Sequence, residues 1–165
     1  MIEKRKFLLR YAVLSILLVI FDVFSKDVVQ RSLADGSPID LLPFLRLVLV
    51  YNRGAAFGFL GEASGWQSPF FATVGVIVSI VIVIRLGRTS GTQKWFEVAL
   101  VLILSGTFGN LVDRIRIGSV IDFIEIYYGV WQFPAFNVAD MAIFFGVLMI
   151  VLESFGISPR QKARE

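Results

Sequence analysis

The chain contains no cysteine and no histidine. Without cysteine there are no disulfides, no thiolate nucleophiles and no Cys-ligated metals. Without histidine there is no Ser-His-Asp triad and none of the common His-ligated zinc sites. Charge is sparse as well, at 18% of residues, with only 13 acidic side chains. Any catalytic chemistry therefore falls to carboxylates. Apolar surface is what the chain has in excess: 56% of its 165 residues are hydrophobic, against about 45–50% in soluble domains. Mean hydropathy is +0.77. The excess is gathered into long runs, which predicts a single integral membrane domain over residues 1–165 rather than a large soluble core.

Four runs are long enough to cross a bilayer, which needs roughly 20 mostly apolar residues. They cover about 7–24, 69–86, 95–112 and 134–155. The first run is longer than a signal-peptide core, and no small-x-small cleavage site follows it. Ten of the 16 basic residues fall in three clusters: Lys4, Arg5, Lys6 and Arg10; Arg85, Arg88 and Lys94; Arg160, Lys162 and Arg164. With four crossings these clusters share one side, and the positive-inside rule makes it the cytoplasm. Both termini are then cytoplasmic. A net charge of +3 raises nucleic acid as a partner, but the basic residues flank apolar runs, so no such partner is expected.

Two outer segments remain, about 27–68 and 114–133. Leu45–Tyr51 (LRLVLVY) is apolar and rich in β-branched residues, which predicts a strand. Residues 54–58 continue it as a second short strand or a turn. The fold class expected is thus mainly α, with four membrane helices and a small extracytoplasmic β-sheet. Tyr127, Tyr128 and Trp131 in the second segment suit a headgroup region.

Carboxylates near that outer boundary are the candidates for chemistry, because a charge at the bilayer centre costs roughly 2.5–3.5 kcal/mol and is seldom idle. Asp122 lies in GNLVDRIRIGSVIDFI (109–124) and Asp140 in FNVAD (136–140). Asn137 and Asp140, three apart, share a helix face, and Pro134 suits the first turn of that helix. Two carboxylates brought close cannot both ionise easily, so one keeps a proton, as an aspartic protease requires. Spacing alone leaves Asp122 and Asp140 open between unrelated residues and a dyad. Gly106, Asn110 and Asp113 make a small, polar helix face, open between a support shell and helix packing. Arg114 is open between an ion pair with Asp113 and an interfacial charge. Asp22 and Lys26 form an i, i+4 pair, structural or substrate-orienting. Ser25 and Lys26 do not face one another, which argues against a Ser–Lys nucleophile. Asn52 and Gly54 suit a turn, or in the case of Asn52 a hydrogen bond to an extended peptide. Glu97 and Glu153 are expected at solvated cytoplasmic ends.

Together these segments resemble the lipoprotein signal peptidase (signal peptidase II) family. Asp22-Val-Phe-Ser-Lys26, Tyr51-Asn52-Arg53-Gly54-Ala55-Ala56-Phe57, Gly109-Asn110-Leu111-Val112-Asp113-Arg114, Val120-Ile121-Asp122-Phe123 and Phe136-Asn137-Val138-Ala139-Asp140 appear in family order. Ser105 stands where the family often has a second glycine. The resemblance implies an aspartic endopeptidase of the bacterial inner membrane that cleaves prolipoproteins before a diacylglyceryl-modified cysteine. It implies Asp122 and Asp140 as the catalytic dyad. Asn110, Asp113, Arg114 and Asn137 would support it, and Asp22, Lys26, Asn52 and Gly54 would contribute to the site. No metal or organic cofactor is implied. The partners implied are lipidated precursors, membrane lipid and globomycin-type inhibitors. A small ion- or proton-coupled transporter is the competing class, and a membrane assembly factor a further one. A transporter calls for carboxylates spread through the membrane depth, whereas these gather at one boundary.

Overall fold

The computed structural model describes residues 2–54, 65–89 and 93–157, with side chains from residue 8 onward. Its elements follow in the order α1 (Ile2–Ser32), β1 (Ile39–Leu42), β2 (Leu45–Asn52), α2 (Gln67–Arg88), α3 (Lys94–Ile117), β3 (Val120–Tyr128), β4 (Trp131–Gln132) and α4 (Val138–Ser154). Among the described residues, three helices, over 8–32, 67–88 and 94–117, are long and apolar enough to cross a membrane. The helix α4 has 17 residues, about 25 Å at 1.5 Å per residue.

α3 stands centrally, with α1, α2 and α4 packed against it. Ile82 and Leu86 of α2 meet Leu100, Val101 and Leu104 of α3 in one buried cluster. The outward faces are apolar instead of polar: Leu9, Ile16, Leu17, Phe21 and Phe24 on α1, Ile77, Ile80, Val81 and Val83 on α2, and Phe144, Phe145 and Val151 on α4 are all exposed. Apolar patches of that extent do not persist in water and fit a lipid surround.

The strands form one antiparallel sheet in the order β1-β2-β3-β4. Its inner face covers the end of α1, where Val29, Leu33 and Phe123 are buried together. The strand expected at 45–51 is present as β2, one residue longer. Residues 55–58 of the expected continuation lie outside the described residues, and Gly54 is a bend.

Several boundaries differ from those expected. α1 runs on to Ser32, so the outer segment begins later than residue 27. α3 extends to Ile117, carrying Asp113 and Arg114 on the helix rather than past its end. Gly118 at φ 72° then turns the chain, a left-handed conformation that glycine adopts without a Cβ clash. The segment 114–133 is therefore not a loop but a helix end followed by β3 and β4. Its β signal, VIDFIEIYY, is broken in the sequence by the two acids Asp122 and Glu125; Glu125 is paired across the sheet with Arg46. Pro134 precedes α4 by four residues instead of opening it. Phe136 pairs with Ile124, its carbonyl accepting from the Phe123 and Ile124 N–H groups at 3.0 and 2.8 Å. This short bridge holds the chain extended until Asn137.

Candidate active site

Asn137 is the N-cap of α4. Its side-chain Oδ1 accepts the Asp140 backbone N–H at 2.8 Å, satisfying one of the N–H groups a helix start leaves without a partner. The next free N–H, that of Ala139, donates to Asp22 Oδ1 at 2.8 Å. Thus α1 caps α4 from across the bundle. Such contact requires close approach. A Cβ on Gly109 would overlap Asp22 Oδ2, and one on Gly106 would overlap the Ala139 carbonyl oxygen. Both positions on this face of α3 must be glycine for α1 and α4 to reach the site.

Below the cap lies a buried charge cluster. Lys26 is 1% exposed and sits 2.7 Å from Asp22 and 2.9 Å from Asp113. Asp113 in turn accepts the Ile121 N–H at 3.2 Å, fixing the start of β3 against α3. The Asp22–Lys26 pair thus ties α1 to Asp113 of α3, and Asp22 also caps a helix. Ser25 donates to the Asp22 carbonyl within its own helix, so it takes no part with Lys26. Ser105 is buried, donating to the Val101 carbonyl at 2.6 Å, which leaves its oxygen to accept from the Ser15 hydroxyl at 3.1 Å.

The two candidate carboxylates meet above this cluster. Asp122 is on β3, opposite Val50, and Asn52 lies diagonally across on β2. That register lets Asn52 Nδ2 donate to Asp122 Oδ2 at 2.9 Å. Asn137 Nδ2 donates to Asp122 Oδ1 at 2.7 Å. Asn110 Nδ2 donates to Asp140 Oδ1 at 2.8 Å, while Asn110 Oδ1 accepts from Lys26 at 3.1 Å and from Asn137 at 3.2 Å. An unbroken chain of amides therefore joins Asp122 to Asp140. Asp122 is 1% exposed. Burial first, and then the Asp140 carboxylate, push its pKa up to about 7 despite the opposing amide hydrogen bonds and Lys26. The pair thus keeps a proton up to about neutral pH.

Arg114 lies to one side. It donates to the Gly54 carbonyl at 2.8 Å and sits over the Phe71 ring at 5.7 Å. The Gly54 N–H donates to Asn52 Oδ1 at 2.8 Å, so the turn after β2 is pinned from both ends. The ion-pair partner of Asp113 is Lys26, not Arg114. A cavity of about 170 Å³ beside Asp140 is lined by Asn110, Arg114, Phe71, Val74, Gly75 and Thr107, among others. On its other side Asp140 meets an apolar cavity of about 280 Å³ walled by Ile126, Phe133, Phe136, Met141, Phe144 and Phe145.

Every candidate residue thus belongs to one connected site. Two residues carry more than their sequence context suggested. Gly109 is required by Asp22, and its signal was its place three residues after Gly106. Phe71, under Arg114, gave none. Glu97 corrects the expectation of a solvated end: it is 0% exposed, and its carboxylate accepts from the Gln93 N–H at 3.4 Å. Among the described residues, no group of three or more acidic side chains is placed to hold a metal ion.

A family model for Signal peptidase (SPase) II matches residues 14–156. A lipoprotein signal peptidase of Burkholderia cenocepacia is 46% identical over 140 residues, covering 85% of this chain and 84% of its own. One from Burkholderia vietnamiensis is 45% identical over the same shares. The chain belongs to the signal peptidase II family. Two solved structures described as bacterial membrane enzymes share the fold of this signal peptidase II. One has a TM-score of 0.78 at 29% identity and covers 90% of this chain and 94% of its own. The other has a TM-score of 0.70 at 31% identity and covers 86% and 87%. Signal peptidase II enzymes are aspartic proteases of lipoprotein processing, and membership makes this chain a hydrolase that removes signal peptides from prolipoproteins.

Proposed function

We propose that Asp122 and Asp140 are the dyad with which this signal peptidase II cleaves a prolipoprotein before its diacylglyceryl-modified cysteine. The observation that carries this reading is the amide chain joining two carboxylates, the buried Asp122, held near neutral pH, and the half-buried Asp140. In the reaction, the ionised carboxylate takes a proton from water as the oxygen attacks the scissile carbonyl carbon. The protonated carboxylic acid gives its proton to the carbonyl oxygen. The tetrahedral intermediate then collapses, breaking the C–N bond. The proton on the first carboxyl passes to the leaving nitrogen of the cysteine, one hydroxyl proton of the intermediate returns to the second carboxylate, and the signal peptide keeps the new carboxyl group. Asn52, Asn110 and Asn137 hold the dyad. Arg114 and Gly54 set the turn beside it, and Asp22, Lys26 and Asp113 fix the helices beneath.

α4 serves as the fourth crossing. Its exposed face is apolar, and its length of about 25 Å falls only slightly short of a bilayer core of about 30 Å. Four crossings place both termini in the cytoplasm of a bacterial inner membrane, and the dyad near the outer face with the sheet above it. A reporter fused after Arg88 should then read cytoplasm and one near Ser64 the outer side; a cytoplasmic signal near Ser64 overturns this placement.

The apolar cavity next to Asp140 fits the substrate's lipid, and a globomycin-type inhibitor is expected to compete at the dyad. Buried acyl chain contributes about 0.8 kcal/mol per CH₂. Cleavage of a lipidated precursor should therefore exceed that of its unlipidated form by on the order of 100-fold, the yield of about 3 kcal/mol or four buried CH₂ groups. Rates of both forms measured with one enzyme preparation test this, and equal rates reject it. A transporter is disfavoured because Asp22, Asp113, Asp122 and Asp140 converge on one end of the bundle.

A further inference from the structure

Three asparagines surround the dyad, and each has its amide orientation set by a group that can only donate. The oxygen and nitrogen of an amide differ in their partners, not their shape. The Gly54 N–H takes Asn52 Oδ1 and so turns its NH₂ to Asp122. The Asp140 N–H does the same for Asn137. For Asn110 the donor is not backbone but the ammonium of Lys26, 3.1 Å from Oδ1. The Asn137 NH₂ also reaches Asn110 Oδ1, but it has two hydrogens and three acceptors: Asn110 Oδ1, the Ile121 carbonyl and Asp122. Lys26 is therefore the firm anchor. Its own three N–H bonds match three partners, Asp22, Asp113 and Asn110. No donor is left over for a substrate.

We propose that Lys26 is a positioning residue for the dyad, acting through Asn110 by holding the amide NH₂ of that residue on Asp140. This rests on the dyad reading. An N–H donor on a carboxylate favours its ionised form, whereas an amide oxygen in its place favours the protonated one. Releasing Asn110 therefore lets the dyad keep its protons to higher pH. The charged groups around the dyad are Asp22 and Lys26 on α1, Asp113 and Arg114 on α3, Asp122 on β3 and Asp140 on α4. Loss of Lys26 alone would also change the local charge, so the test must balance it.

The full chain carrying Lys26→Met with Asp113→Asn loses one buried charge of each sign and the donor from position 26 to Asn110 Oδ1, and the amide introduced by Asp113→Asn still offers an oxygen to the Ile121 N–H. The kcat, the KM and the pH–rate profile on a lipidated precursor are compared with wild type and with Asp113→Asn alone. The expected result is kcat lower by about 10-fold, KM within about 2-fold, and limbs of the kcat profile moved up by about one pH unit in the double variant only. Limbs at the wild-type pH overturn the positioning role, whatever the kcat. Lys26→Arg keeps both carboxylates paired with a group that only donates, and it decides the matter if the double variant fails to fold. Limbs that stay in place with kcat kept are the outcome the role requires, and limbs that rise as above overturn it. Normal turnover in Asp122→Asn or Asp140→Asn removes the dyad and this role together, whereas lost turnover in both with unmoved limbs in the double variant removes this role alone.

Discussion

Asp122→Asn and Asp140→Asn should each lower turnover by roughly 10²–10⁴-fold or more, the range that positioned acid–base groups supply. Asn has nearly the shape of Asp but neither takes a proton from water nor shares one. If the two carboxylates act as one unit, the double variant is little worse than either single one. The two variants should differ in stability. Asp122 accepts amide N–H bonds on both oxygens, from Asn52 and Asn137, and both of those amides are turned by fixed donors. An Asn there brings its own NH₂ against one of them, costing about 1–3 kcal/mol for the unmet donors. Asp140 takes one such bond, from Asn110, and an Asn can turn its oxygen toward it. Thermal melts should therefore show Asp122→Asn destabilised and Asp140→Asn close to wild type, with inhibitor binding as a check on folding. Activity that merely tracks the amount of folded protein would assign both residues to packing.

Gly106→Ala should cost as much stability as a single methyl group can. Its Cβ would overlap the Ala139 carbonyl oxygen and lie 2.7 Å from Ile143 Cγ1. The oxygen is backbone, in the first turn of α4, so it cannot swing aside. The helices must part, at the upper end of the roughly 1–3 kcal/mol that overpacking takes, or beyond it. The same movement draws Asp140 from Asn110, so turnover of the folded fraction should fall as well. Gly87→Ala on α2 is the control, because nothing lies within 4 Å of its Cβ, and it should melt no lower than wild type. A Gly106→Ala chain as stable and active as that control would mean that α3 and α4 do not need this contact.

Much of this site is legible in the sequence because the bilayer makes polar residues conspicuous. Asp22, Lys26, Asn110, Asp113, Asn137 and Asp140 stand out against apolar neighbours, and all but the half-buried Asp140 are buried in the cluster. Their division of labour is not legible. That Asp22 caps α4 depends on a contact 117 residues away in sequence, and that Asn52 reaches Asp122 depends on the β2–β3 register. The strand β2 announces itself by its apolar, β-branched run. β3 does not, because Asp122 and Glu125 interrupt its pattern, and a carboxylate on a strand is explained only by the dyad or the Arg46 pair it serves. Pro134 signals a helix start in the sequence, but the bridge of Phe136 to Ile124 holds that stretch extended, and the cap falls on Asn137. Arg114 cannot be assigned from its neighbour Asp113, because adjacent residues on a helix point apart.

The shared proton is the centre of the proposed mechanism, and the pH–rate profile of the wild-type enzyme reads it most directly. The chain has no histidine and no cysteine, so no side chain of unperturbed pKa titrates near neutrality. With Asp122 raised to about 7, the pair holds one proton below that pH and loses it above. Turnover of a lipidated precursor should then fall as the pH rises through about 7, and fall again in acid as the second carboxyl is protonated, giving a bell whose limbs belong to the pair. A rate that stays level across that neutral limb, with enzyme and precursor both intact, would contradict a proton-sharing dyad of Asp122 and Asp140.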